Sequence, residues 1–219
     1  MNFADILMLL ATGAGYTVLV TLACIATALV SGVAIAVLYR LERPLLTFIL
    51  RIYVFIMRGI PVLVLLFIVF FGLPGIGLQV PPVVSMMLSL GLISGAYLGE
   101  IFRGSLNAVD PNEIMAAESM GLSRAQILLA IELPQMLRFS VPGMINEFTT
   151  VLKYSPFAYT VGVPEIMKQA MALSATTLRG VEIFLAVGLM YFAIYKLLVS
   201  VVWALDRRFR IPGFDERSR

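Results

Sequence analysis

Asn146, Glu147, Thr149, Thr150, Lys153 and Tyr154 interrupt an otherwise apolar stretch of the chain. At about 100° per residue they share one helical arc of roughly 160°, with Ile145, Phe148, Val151 and Leu152 on the opposite side. A carboxylate, an ammonium, an amide and hydroxyls on one face can hydrogen-bond a small polar solute, or one another. An ionisable side chain in a bilayer costs about 2.5–3.5 kcal/mol on insertion scales, so Glu147 and Lys153 demand an interior partner or a water-filled path. Two readings stand: the arc borders a solute path, or it binds helices to each other within the bundle.

A second cluster, Ser94, Tyr97, Glu100 and Arg103, follows the same logic one apolar stretch earlier. Glu100 and Arg103 are spaced i, i+3, close enough to form a structural ion pair or a gate that opens. Ser94 and Tyr97 lie near the same side, where they can line a path. Gly91, Gly95 and Gly99 form a small-residue stripe that permits close helix packing, within the chain or between chains. Arg58, just before Pro61, reads as a residue at a helix irregularity. Lys196 reads as a side chain that snorkels toward the nearer end of its span.

The composition narrows the chemistry. The chain has no histidine, and its only cysteine, Cys24, lies in an apolar run. These exclude an internal disulfide and a His/Cys metal centre. No Gly-x-x-x-x-Gly-Lys-Ser/Thr loop occurs, so the chain has no phosphate cradle of that kind. A membrane-embedded enzyme is the poorly supported reading: no catalytic residue and no cofactor is expected in this chain.

The elements that must position these residues are membrane helices. The chain is 219 residues, 60% hydrophobic and 13% charged, about half the charge of an average soluble domain. About 20 apolar residues cross a bilayer, which predicts spans at Gly13–Tyr39, Ile52–Phe71, Val83–Phe102, Phe139–Tyr159 and Val181–Leu205. The N-terminal segment lacks the basic start of a cleaved signal and is expected to remain. The fold class is all-α integral membrane, one domain over residues 1–219. Arg40, Arg43, Arg51, Arg103, Arg124, Arg138 and the tail arginines 207, 208, 210, 217 and 219 fall on one side, against Lys168 and Arg179 on the other. Arginine-rich ends face the cytoplasm, which predicts an outside N-terminus and a cytoplasmic C-terminus. Lipid, not nucleic acid, is the expected surround.

The insert 110–135 is punctuated as two short helices around a turn. Asp110 is placed to cap the first, with Pro111 at its first position and Glu113 three residues after the cap. Gly121 suits the left-handed stop, Ser123 with Gln126 caps the second helix, and Pro134 is expected to end it. Ala116-Ala117, Gly121 and Ile131-Glu132-Leu133-Pro134 resemble the cytoplasmic coupling loop of ATP-binding-cassette (ABC) importer permeases, with Met115 where that motif carries Glu. Arg58-Gly59-Ile60-Pro61, Ser94-Gly95-Ala96-Tyr97, Glu100-Ile101-Phe102-Arg103-Gly104, Asn146-Glu147 and Gly162-Val163-Pro164-Glu165 resemble the polar amino acid (histidine/glutamine-type) subfamily of those permeases.

The resemblance implies a type I ABC importer permease fold of five transmembrane helices with a cytoplasmic coupling-helix loop, in the inner membrane of a bacterium. It implies a subunit that imports amino acids or amino-acid-derived solutes by alternating access. The expected partners are a second permease chain, identical or sister, an ATPase dimer that holds ATP and Mg, and an extracytoplasmic solute-binding protein. A non-transporting scaffold or sensor with the same fold is the alternative. Met115, Met120 and Leu122 are the expected apolar anchors for the ATPase, with Ala116-Ala117 and Gly121 allowing close approach. Relatives commonly read Asp-Thr/Ser-Ser-Leu after the lysine, near where amino acid ligands bind. Here Tyr154-Ser155-Pro156-Phe157 stands, so the acid is absent. A solute with a carboxylate that Lys153 can meet is the expectation, and Pro156 should break the helix.

Overall fold

The computed structural model describes residues 2–209, and every regular element among them is helical. Helix α1 (Phe3–Tyr39) begins ahead of the expected Gly13. The Asn2 amide donates to the Asp5 carboxylate at 2.7 Å, so a first-turn acid satisfies a free N–H and extends the helix outward. The tail arginines Arg210, Arg217 and Arg219, and the C-terminal end, lie outside the described residues.

The second expected span is two helices. Helix α2 (Pro44–Gly59) and α3 (Val62–Phe67) meet at Ile60-Pro61, and α3 continues through a π-turn, Ile68–Gly72, and a 3-10 turn, Leu73–Ile76. The pair bends by 101°. Pro61 has no N–H to donate and forces Ile60 into extended backbone, here φ −92° and ψ 129°, so α2 stops before it.

Helix α4 (Pro82–Met86), a π-turn at Met87–Gly91 and α5 (Leu92–Asn107) form one continuous rod, Pro82–Asn107. It lies along α1, and the stripe Gly91, Gly95, Gly99 is the contact. A β-carbon on Gly95 would stand 1.9 Å from Ser31 Oγ and 3.0 Å from Ser31 Cβ. On Gly91 it would meet Thr27 Cβ at 2.9 Å, and on Gly99 Ile35 Cγ2 at 2.8 Å. The stripe therefore serves packing inside this chain. Val20, Cys24, Ala28, Leu90, Leu98 and Phe102 form the core around this seam.

Beyond α5 come α6 (Pro111–Ser119), α7 (Arg124–Ile127), a π-turn at Leu128–Glu132, α8 (Leu133–Phe139) and α9 (Val141–Tyr154). A 3-10 segment, Ser155–Val161, leads to α10 (Ile166–Thr177) and α11 (Gly180–Phe209). Pro134 does not end a helix. The π-turn before it takes up its missing hydrogen bond, and the chain continues helical into α8. Pro156 does break α9, into the 3-10 segment.

Among the described residues, three helices are long and apolar enough to cross a membrane, or four if the bent pair counts as one crossing. Phe139–Tyr159 does not qualify: α9 has 14 residues, about 21 Å, and its polar face dilutes its apolarity. Lys196 does not reach toward the C-terminal end of α11. Its ammonium lies 5.5 Å from the Phe192 ring centroid, one turn back, in a cation–π contact.

Overfilling the α1–α5 seam is expected to destabilise the fold by about 1–3 kcal/mol. Gly95→Val should lower the melting temperature of the purified permease in detergent. Gly104→Ala on the same helix meets nothing within 4 Å and should leave it unchanged or slightly raised.

Candidate functional site

The bend at Ile60-Pro61 carries the end of α2 to the faces of α5 and α9, and the three enclose a cavity of about 510 Å³. Ser94 and Tyr97 reach it from α5, and Asn146, Glu147, Thr150 and Tyr154 from α9, with Arg58 and Gly59 at the break. Six of the eight residues expected on a path therefore meet in one place. Spacing is the cause: Ser94 and Tyr97 are one turn apart, and the α9 residues lie on its polar arc while Val151 and Leu152 are buried on the other.

The cavity holds both signs of charge. The Glu147 residue is 6% exposed, and the Ser94 hydroxyl is placed to donate to its carboxylate. Arg58 lies over the Tyr97 ring, 4.8 Å from the centroid. Thr150 Oγ1 donates to the Asn146 backbone carbonyl at 2.9 Å, and both residues line the cavity. Tyr154 stacks on Phe157, with centroids 5.7 Å apart. Such a wall can hold a small zwitterion between a guanidinium and a carboxylate, with aromatic surface beside it.

Glu100 and Lys153 lie elsewhere. Glu100 pairs with Arg103, Nη2 to Oε2 at 2.7 Å and Nε to Oε1 at 3.2 Å. Arg103 also covers the Tyr39 ring at 5.7 Å, so the i, i+3 spacing produces an ion pair beside the end of α1. Lys153 belongs to a different groove, about 420 Å³, with Leu152, Pro156, Tyr191, Phe192 and Tyr195. Its position at the edge of the α9 arc turns it toward α11 instead of α5. Arg58 is the cationic group the sequence reading had not placed at this site. The signal was its position immediately before a helix-breaking Gly-Ile-Pro.

Glu165 was also missed as a centre of structure, although Gly162-Val163-Pro164-Glu165 had marked its neighbourhood. It is fully buried and caps α10. Its carboxylate accepts from the Met167 amide at 2.8 Å, the Lys168 amide at 2.9 Å and the Tyr191 hydroxyl at 2.6 Å, with Thr17 Oγ1 at 3.4 Å. One side chain thus binds α1, α10 and α11 together.

The insert 110–135 folds as a capped unit. Asp110 Oδ1 accepts from the Asn112 amide at 2.9 Å, and Gly121 adopts φ +83°. Ser123 and Gln126 cap α7 reciprocally. Glu113 does not close a capping box; its carboxylate accepts from Gln135 Nε2 and fastens α6 to α8. Met115 and Met120 are 55% and 80% exposed, Leu122 is half-buried, and Ala116 faces outward. Ala117 is buried, so it packs the unit internally and offers no surface for close approach.

The sequence profile of the family described as "Binding-protein-dependent transport system inner membrane component" matches residues 28–211. The chain belongs to that family. It is 30% identical over 197 residues to the probable amino-acid ABC transporter permease protein YckA of Bacillus subtilis (strain 168), covering 90% of this chain and 87% of the relative. It is 32% identical over 195 residues to the probable amino-acid permease protein YxeN of the same organism, covering 88% and 87%. Among solved structures, one described as an amino acid ABC transporter with histidines superposes with a TM-score of 0.83 at 26% identity, over 95% of this chain and 99% of the other. The inward-facing MetNI methionine ABC transporter gives 0.75 at 18% identity, over 93% and 97%, a likeness of fold.

Membership makes this a multi-pass inner-membrane transport subunit, with a type I ABC importer permease fold. Within that fold Glu165 is a stability centre, because each buried donor left without an acceptor costs about 1–3 kcal/mol. Glu165→Ala should lower the melting temperature of the purified permease by far more than Lys168→Ala, and Glu165→Gln should fall between them. Equal melting of Glu165→Ala and the native protein would refute that role.

Proposed function

We propose that this chain is the pore-forming permease subunit of an ATP-driven importer for amino acids or amino-acid-derived solutes. It works by alternating access, and the cavity between α2, α5 and α9 is part of the solute path. The observation that carries the reading is the convergence of Arg58, Ser94, Tyr97, Asn146, Glu147, Thr150 and Tyr154 on that cavity. The relatives described as probable amino-acid permeases and the solved amino acid ABC transporter support the substrate class. Arg58 replaces Lys153 as the group that meets a solute carboxylate. Nothing in the chain need do covalent chemistry: ATP and Mg belong to a separate ATPase dimer, and an extracytoplasmic binding protein delivers the solute. A second permease chain completes the pore. The N-terminus faces outside and the unit 110–135 faces the cytoplasm, in agreement with the distribution of arginines.

Alternating access requires two conformations whose balance ATP and the loaded receptor shift. The cavity is tested by single cysteines at Asn146, Thr150 and Tyr154, and at Phe148 and Leu152, in a Cys24→Ser background. Cavity-facing thiols should react with an external polar reagent, and receptor-delivered amino acid should block them. Phe148→Cys and Leu152→Cys should stay silent, and Glu147→Ala should cut import at least tenfold. Equal labelling on both faces, with import unchanged by Glu147→Ala, would return the arc to helix packing.

Docking of the ATPase on the unit 110–135 is proposed through Met115, Met120, Leu122 and Ala116, since apolar surface of this kind otherwise faces water. Gly121 fixes the turn between α6 and α7. A side chain there meets no atom within 4 Å, but the positive φ costs a β-branched residue about 1 kcal/mol or more. Gly121→Val should therefore weaken copurification of the ATPase and receptor-stimulated hydrolysis. Native assembly and native stimulation together would reject this docking surface.

A further inference from the structure

Arg40 ends α1, and its Nη2 donates both to the Glu132 carboxylate and, at 3.1 Å, to the Leu106 carbonyl near the end of α5. Glu132 belongs to the π-turn of the unit 110–135 and is buried, 7% exposed. One guanidinium thus joins three parts: α1, α5 and the unit proposed to receive the ATPase. The joint is polar, and Arg40 Nε is buried without a partner. Beside it opens a cavity of about 540 Å³ whose lining includes Leu41, Ile114, Glu118, Arg124 and Leu128. The unit is therefore not packed solidly against the end of α1, and the ion pair bridges the gap.

Tracing the packing from this joint leads to the solute cavity. Helix α1 meets α5 through Thr27, Ser31 and Ile35 against the glycine stripe. Ser94 and Tyr97, which line the cavity, flank Gly95 on that rod. Helices this closely fitted move as one body, because an interior at crystal-like density deforms little. Displacing Glu132 therefore pulls on α1, and α1 carries α5 with it.

We infer that the Arg40–Glu132 ion pair is a positioning joint that transmits movement of the cytoplasmic unit to the α1–α5 body and hence to the solute cavity. This rests on the permease reading above. Physical coupling of this kind needs an element that both sites bias and a test that separates transmission from mere stability.

Removing Arg40 from this partly buried pair strands the buried Glu132 charge, whereas replacing both members by apolar residues is often tolerated. The informative variant is therefore the double Arg40→Met, Glu132→Leu, reconstituted with its ATPase and binding protein in vesicles. It should assemble and hydrolyse ATP at the native basal rate, while stimulation by solute-loaded receptor, and import, fall at least tenfold. Native stimulation and import in this variant would overturn the inference. So would loss of assembly and basal hydrolysis together, which would make the pair architectural. If the neutral pair does not accumulate in membranes, the exchange Arg40→Glu with Glu132→Arg is read instead. Stimulation above that of either single reversal supports the joint, and stimulation no better than either overturns it. The native protein in the same vesicles separates the two hypotheses: if it shows no receptor-stimulated hydrolysis or import, the permease reading itself fails.

Discussion

Everything in this subunit is referred to the seam between α1 and the Pro82–Asn107 rod. In lipid, helices gain little hydrophobic free energy by meeting, since acyl chains are as apolar as leucine. Close dispersion contact must do the work. The glycine stripe supplies it by letting the α1 side chains approach the α5 backbone directly. Around that seam the other elements take their places: α10 through Glu165, α11 through Tyr191, and α9 through Val151 and Phe148 in the shared core.

The polar residues then divide into those that hold the bundle and those that face the cavity. Glu165 is saturated by amide, phenol and hydroxyl donors, and Glu100 by its own arginine. Glu147 and Arg58 have no such closed partner sets; their surroundings are the cavity and the aromatic ring of Tyr97. A buried intramembrane charge that is incompletely paired, as that of Glu147 is, is costly in a static structure. The cost is offset when a solute or water occupies the space, and this is the physical case for a path here.

The helical class, the polar arc of α9 and the capped insert were legible because each is a local pattern. Side chains at 3–4 residue spacing share a face, and Asp110, Gly121 and Ser123 act on their own neighbours. Which helix faced which was not legible. Lys153 and Tyr154 are adjacent in sequence, yet they enter different cavities because α11 and α5 flank α9 on different sides. Arg58 escaped because its direction depends on the sense of a 101° bend, which a proline announces but does not orient. Pro134 misled for a related reason: a proline marks a missing hydrogen bond, and a π-turn meets that need as well as a helix end does.

That π-turn, Leu128–Glu132, also resets the rotational phase of the chain. Ile127 and Met136 are both buried, yet in an uninterrupted α-helix side chains so spaced would point about 180° apart. The wider turn takes up one residue without advancing the helix by its usual angle, which brings the two side chains from about 180° to about 80° apart. Loss of a single residue within the wide turn would make it an ordinary one and leave Met136 in phase, whereas loss of one in the helix after it would rotate everything that follows, including the polar arc of α9. This short segment is therefore where the chain can absorb a change in length that the helices on either side cannot.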